Sequence, residues 1–351
     1  METGRLEDPQ KGKALIIYDR GAAHEGTPDQ RDSLVQACAV AQALTEIGWK
    51  PVEVPFSLDV TGFKKTVQNM GPAFVFNLVE SVDGHGRLIY LAPAILDVMG
   101  IPYTGSKTDS LYTSSNKKTA KKWLEGAGID TPRSFSEADL SGEPFPLQGN
   151  FIIKSTWEHA SIGLGEDSVV LVEDSRQLLI ALEQRREEVG GEGFAESYIE
   201  GREFNLSLLA SAGGPQVLPP AEMRFDDYPP GRLKMVDYSA KWNEDSFEWR
   251  HTRRSFDFEQ CDHPLLERLR ELARRCWRLF ELRGYARVDF RVDGDNRPWV
   301  LEVNANPCIS PDAGFIAAAA QAGISYHRVV ERILEDSGIR HEKATTGHWG
   351  L

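Results

Sequence analysis

Residues 285–307, YARVDFRVDGDNRPWVLEVNANP, constrain this chain more than any other stretch. Two alternating apolar–polar runs flank the turn residues Asp293, Gly294, Asp295 and Asn296. Gly, Asn and Asp accept positive φ, so the stretch reads as a β-hairpin. Folded about the centre of the turn, it sets Asp289 opposite Glu302 and Arg287 opposite Asn304. Side chains alternate faces along a strand. These four residues therefore share a polar face, while Ala286, Val288, Phe290, Leu301 and Val303 turn toward a core. Two neighbouring carboxylates repel one another. A divalent cation that prefers oxygen relieves the repulsion, and Mg²⁺ is usually held by one or two carboxylates plus substrate phosphates. The plainer reading is a solvent-exposed sheet face with an ordinary Arg–Asp pair. It does not account for an apolar strand that ends in Glu302-Val303-Asn304-Ala305-Asn306-Pro307.

The chain has 351 residues, enough for two or three domains. It carries 40 basic against 53 acidic residues, a net charge of −13, which argues against a nucleic-acid partner. An anionic ligand then needs local positive charge and metal rather than a global field. Cys38, Cys261, Cys276 and Cys308 are scattered without C-x-x-C spacing. They suggest neither a zinc framework nor disulfides, and fit a reduced, cytoplasmic setting. The polar N-terminus lacks a signal-peptide apolar region, and no run is long enough to span a membrane.

Residues 14–18, 51–56 and 73–79 read as strands alternating with helices at 32–48, 59–70 and 87–99. That order implies an α/β domain with a parallel sheet. Ligands sit beyond the carboxyl ends of such strands, where Glu80 and the loop after Asp19 fall. Residues 110–128 read as one helix bearing Lys117, Lys118, Lys121 and Lys122, on spacing alone a solvated face. Residues 151–154 form a strand ending in Lys154, before a loop of small residues that can wrap a phosphate. Residues 194–201 and 203–209 read as consecutive strands around a turn. Residues 136–149 and 212–233 are Pro/Gly-rich. Residues 237–254 read as a lid, and 314–336 as one Ala-rich helix. His85, His159 and His251 read as loop residues rather than metal ligands. Cys308 reads as a small packing residue, not a nucleophile.

Together these pieces resemble the ATP-grasp superfamily, and within it D-alanine–D-alanine ligase. The carrying stretches are GIPYTGS (100–106), Lys117 in SNKKTAKKWLEGAGIDTP, FIIKSTWEHASIGLG (151–165), FAESYIEGREF (194–204), DYSAKW (237–242), YARVDF (285–290) and LEVNANP (301–307). The resemblance implies an ATP-grasp fold, α/β with α+β character in its central and C-terminal parts. It would comprise an N-terminal substrate-binding domain (1–107), a central subdomain (108–210) and a C-terminal subdomain with metal site and lid (211–351). It implies ATP phosphates on Lys117 and Lys154, and adenine lined by Glu196, Ser197, Tyr198 and Ile199. Ribose would be held by Glu203, and the γ-phosphate reached by Lys241. Two Mg²⁺ ions, with Mn²⁺ as the alternative, would lie on Asp289, Glu302 and Asn304, and Arg287 would face the reacting carbon. The implied reaction joins a carboxylate to an amine through an acyl phosphate, releasing ADP. A homodimer is carried over from the family only.

The substrate side departs from the family. Ala160 and Trp242 stand where a serine–tyrosine latch is expected, although Ser161 is retained. The residues 80–84 and 308–315 differ from the family pattern. Glu25, Asp29 and Asp32 are the alternatives for an ammonium-binding acid, and Glu80, Ser161, Trp242 and Asn306 are the candidate substrate contacts. Competing readings are a non-catalytic ATP-binding protein on the same fold, and an ATP-grasp enzyme acting on a different substrate, through acid–thiol ligation or kinase chemistry.

Overall fold

The computed structural model describes residues 12–23, 28–158, 161 and 163–339. Strand β1 (Lys13–Asp19), helix α1 (Pro28–Glu46), β2 (Lys50–Phe56), α2 (Val60–Met70), β3 (Phe74–Asn77) and α3 (Leu91–Met99) follow in turn. The three strands form a parallel sheet in the order β2-β1-β3. The expected alternation is therefore observed. β1 and β3 are buried on both faces, as apolar runs such as Ala14-Leu15-Ile16-Ile17 require. The third helix begins at Leu91 rather than at 87, because residues 86–88 form a separate 3₁₀ turn.

The lysine-rich segment differs from expectation. It breaks into α4 (Thr108–Ser115) and α5 (Lys117–Gly126). Asn116 leaves the helical conformation, and its side chain accepts from the Thr119 amide to cap α5. The break turns Lys117 and Lys121 inward, 9% and 2% exposed, so the solvated-face reading fails for both.

A four-stranded antiparallel sheet follows, built from β4 (Ser134–Phe135), β5 (Pro146–Ser155), β6 (Val169–Asp174) and β7 (Gly193–Ser197), in the order β4-β7-β5-β6. Helices α6 (Glu137–Leu140) and α7 (Ser175–Gln184) connect these strands. The next strand, β8 (Arg202–Leu209), leaves this sheet. It joins β9 (Gln216–Val217) and β10 (Ala221–Phe225) in a third, six-stranded sheet. Residues 194–209 therefore hold two consecutive strands that belong to different sheets. Residues 237–255, which include the expected lid, hold α8 (Tyr238–Trp242), α9 (Phe247–His251) and β11 (Thr252–Ser255). Helix α10 (His263–Leu279) then leads into the hairpin of β12 (Tyr285–Val292) and β13 (Pro298–Asn304). The large sheet runs β11-β10-β8-β12-β13, with β9 on β8. The Ala-rich C-terminal stretch is two helices, α11 (Gly314–Gln321) and α12 (Tyr326–Asp336), separated at Gly323 and recapped by Ser325.

The hairpin register is the predicted one at its polar end, with Arg287 opposite Asn304 and Asp289 opposite Glu302. It is reached by a different route. Near the turn, Val292 faces Pro298 and Phe290 faces Val300, a ladder that would bring Asp289 to Leu301. A bulge between Asp289 and Phe290 moves the pairing by one residue and puts Glu302 there instead. Val300 and Val303 consequently enter the core, 0% and 1% exposed, whereas Leu301 is only partly buried. The core behind the polar face joins Phe204, Leu206 and Leu208 of β8 to Ala286, Val288 and Phe290 of β12 and to α10.

Candidate active site

The polar face is three strands wide. On β12 it carries Arg287, Asp289 and Arg291; on β8 their partners are Ser207, Asn205 and Glu203. Arg287 donates from Nε to Asp289 Oδ1 at 2.7 Å and from Nη2 to Oδ2 at 2.8 Å, a two-point pairing. Asn205 Nδ2 donates to Asp289 Oδ1 at 2.8 Å. Glu302 Oε1 lies 3.8 Å from Arg287 Nη2. Burial and the adjacent Glu302 hold the Asp289 carboxyl above its ordinary range, against the pull of Arg287. Arg287 is shifted upward, because Asp289 and Glu302 outweigh the burial that opposes its charge. Asn205, Ser207 and Arg291 were not singled out from the sequence. The alternation of Glu203, Asn205 and Ser207 was the available signal, but only the sheet pairing sets β8 beside β12.

Across from this face stand three lysines. Lys154, at the end of β5, pairs with Glu196 Oε1 at 2.5 Å. Burial opposes the charge on Lys154, yet Glu196, Glu302 and Glu203 raise its pKa overall. Lys117 opens α5 and donates to the Glu158 carbonyl at 2.5 Å. Burial lowers its pKa, and Lys154 adds to that effect. The Lys241 ammonium on α8 makes no hydrogen bond or ion pair among the described residues. Burial lowers it first and Arg287 second, while Glu302, Asp289 and Glu203 favour its charge. A chain of net charge −13 thus concentrates cations in one cleft.

The remaining candidates are distributed around these groups. Glu196 is 1% exposed and lies between Lys154 and Lys121, so it is a buried ion-pair carboxylate. Ser197 ends β7, and Tyr198 and Ile199 lie in the connection to β8. The Tyr198 hydroxyl donates to the Lys234 carbonyl at 3.1 Å. Glu203 pairs with Arg291 at 2.9 Å. Ser161 donates to the Val236 carbonyl at 2.9 Å, tying the loop after β5 to the segment that leads into α8. Trp242 closes α8, tilted against Tyr238. Both ends of the Asn306 amide are used within the protein, by Tyr285 at 2.6 Å and the Val79 carbonyl at 3.0 Å. Glu80 accepts from Gln36 at 2.9 Å. Asp32 accepts from Cys308 at 2.8 Å and also from Ser310. The side chains of Glu25, Asp29, His159 and Ala160 lie outside the described residues. Burial raises the Cys308 thiol well above its ordinary range, as do Glu80 and Asp32.

Among the described residues no group of three or more His, Cys, Asp or Glu side chains is arranged to hold a metal. The donors here are two carboxylates, Asp289 and Glu302, and the Asn304 amide, which faces Arg287 from β13. An all-oxygen set with only two carboxylates suits Mg²⁺, which takes its other ligands from water and phosphates. Among the described residues no helix is long and apolar enough to cross a membrane.

Residues 145–335 match the family model described as D-ala D-ala ligase C-terminus. A D-alanine–D-alanine ligase of Chromohalobacter salexigens is 28% identical over 334 residues, covering 92% of this chain and 94% of that protein. An uncharacterised protein of Sinorhizobium fredii, y4sG, is 28% identical over 261 residues, 74% of this chain and 73% of its own length. The D-alanine–D-alanine ligase of Bacillus anthracis, solved in complex with ATP, superposes with a TM-score of 0.66 at 21% identity, covering 93% of this chain and 97% of that one. The likeness of fold covers 93% of the chain, and the family match contains the hairpin, β5, β7, β8 and α8; the chain therefore belongs to the D-ala D-ala ligase C-terminus family and has the ATP-grasp fold.

Proposed function

We propose that this protein is an ATP- and Mg²⁺-dependent ligase that joins a carboxylate to an amine through an acyl phosphate and releases ADP. One observation carries the reading: Arg287, Asp289 and Glu302 on one sheet stand against Lys154, Lys117 and Lys241 from three other elements. The cations have no counterpart in a purely structural sheet face. They suit the phosphates of a bound nucleotide, with Glu196 to Ile199 lining the base and Glu203 taking the ribose hydroxyls. That a B. anthracis protein of the same fold is solved in complex with ATP supports a nucleotide as the ligand class.

Asp289, Glu302 and Asn304 would hold Mg²⁺, which when bound neutralises phosphate charge. Lys117 and Lys154 orient the phosphates, and Lys241 approaches from the lid. A substrate carboxylate oxygen would bond to the γ-phosphorus as the bond to ADP breaks; the amine would then attack the acyl carbon, lose a proton and expel phosphate to leave the amide. Arg287 faces that carbon and stabilises the oxyanion. Catalysis is largely positioning and electrostatics. The lid excludes water that would hydrolyse the acyl phosphate. Ser161 contributes by fastening the loop after β5 to the lid segment.

The same reading divides the chain into residues 1–107, 108–210 and 211–351, with β8 structurally part of the last sheet. We assign amino acids as the substrate class. The family relatives act on D-alanine by name, and Glu25, Asp29 and Asp32 stay the alternatives for the acid that would meet a substrate ammonium. The test is Glu302→Gln. ADP release should vanish while the fold persists. ADP released at the parent rate would refute the metal assignment.

A further inference from the structure

Lys121 is among the largest fully buried side chains of the molecule. Its ammonium donates to Thr131 Oγ1 at 2.8 Å and to the Pro132 carbonyl at 2.9 Å, and it forms an ion pair with Glu196 Oε2 at 2.6 Å. The partners belong to different parts of the fold. Glu196 is in β7 of the four-stranded sheet. Thr131 and Pro132 form the linker into β4, and this linker is also bound to the other sheet. Thr131 Oγ1 donates to the Val300 carbonyl at 2.7 Å, and the Val300 amide donates to the Asp130 carbonyl at 2.8 Å. Val300 lies on β13, two residues before Glu302.

We infer that Lys121 is a positioning residue of the nucleotide cleft: it fixes the Glu196 carboxylate, and through it the Lys154 ammonium, against the linker that pairs with the strand bearing Glu302. The inference rests on the nucleotide reading given above. A continuous series of contacts runs from Lys154 through Glu196, Lys121 and Thr131 to Val300, so the two walls of the cleft share one polar joint. Each Glu196 oxygen already meets a lysine. Burial pushes the Glu196 carboxyl up, but Lys121 and Lys154 more than reverse this and hold it below its ordinary value. Lys121 itself is lowered by burial, with Glu196 opposing. Without Lys121, one cation would have to keep a fully buried carboxylate ionised. Glu196 would then protonate at a higher pH, losing acceptor capacity and its hold on Lys154.

The experiment is direct titration of the full chain with ATP and Mg²⁺ across pH, which needs no knowledge of the other substrates. Lys121→Gln keeps hydrogen-bonding capacity toward Thr131 and Pro132 but removes the charge. We expect its Kd for ATP to rise about 10–100-fold, the range typical when a supporting partner of a site is lost. The rise should steepen toward acid pH, and Lys121→Arg should restore much of the affinity and the parent pH profile. Thr131→Val, which removes the anchor without touching the ion pair, should move Kd the same way but less; it serves if the Gln variant does not fold. A parent that binds no ATP would overturn the nucleotide reading and this inference with it. A parent that binds ATP, beside a Gln variant with the same Kd and pH profile and only a lower thermal midpoint, would overturn the role of Lys121 alone.

Discussion

Glu80 gives the most quantitative prediction. Burial raises its carboxyl to about 8 from an ordinary 4.5, with Asp19 and Asp32 adding to the rise and the Gln36 hydrogen bond and Arg287 opposing it. The folded protein therefore holds a proton on Glu80 that the unfolded chain releases near 4.5. The stability associated with the neutral acid is complete below that pH and is lost as pH rises through about 8. At about 1.4 kcal/mol for each factor of ten, the penalty at high pH is bounded at roughly 5 kcal/mol. Glu80 is only partly buried, and solvent on its open side reduces this to roughly half. Glu80→Gln removes the titration and keeps an acceptor for Gln36. At about 2–4 °C per kcal/mol, the variant should melt roughly 5–10 °C above the parent at pH 8.5. At pH 4.5 the two should coincide. The assay is a thermal melt of both proteins at the two pH values, without ligand. Equal midpoints at pH 8.5, or a larger gain in acid, would refute the reasoning.

Two further predictions follow from the same geometry. Arg287→Lys should cost about 10²–10³ in turnover, the usual loss for one oxyanion donor, because an ammonium cannot reproduce the two-point pairing with Asp289; steady-state kinetics at saturating ATP would check it. Among the cysteines, iodoacetamide at pH 8 should label the exposed Cys38 and Cys261. It should spare Cys276, which burial pushes up to about 12, and Cys308, held protonated by burial, Glu80 and Asp32; peptide mass mapping reads the pattern.

Much of the site was legible because strand periodicity is strict. Alternation in 285–307 was enough to pair Asp289 with Glu302, and the alternating strands and helices of residues 13–99 gave the parallel sheet. The bulge was not legible. It depends on how the hairpin packs against the helices behind it, so alternation alone puts Leu301 in the core position that Val300 holds. The burial of Lys117 and Lys121 was hidden for a related reason. Spacing cannot show that Asn116 breaks the helix, nor that Glu196 arrives from a strand 75 residues beyond Lys121 to offset the cost of burying charge. Likewise, residues 194–209 show two strands but nothing that sends them to different sheets.

The most direct test of the central claim is a coupled measurement on the purified protein. ATP, Mg²⁺ and pairs of D- and L-amino acids are supplied, with ADP and products followed together by mass spectrometry. At least one pair should give ADP and a new amide in equal amounts, and neither should appear with Glu302→Gln. A stable phosphorylated product without amide, or bound ATP with no ADP over every pair, would contradict it.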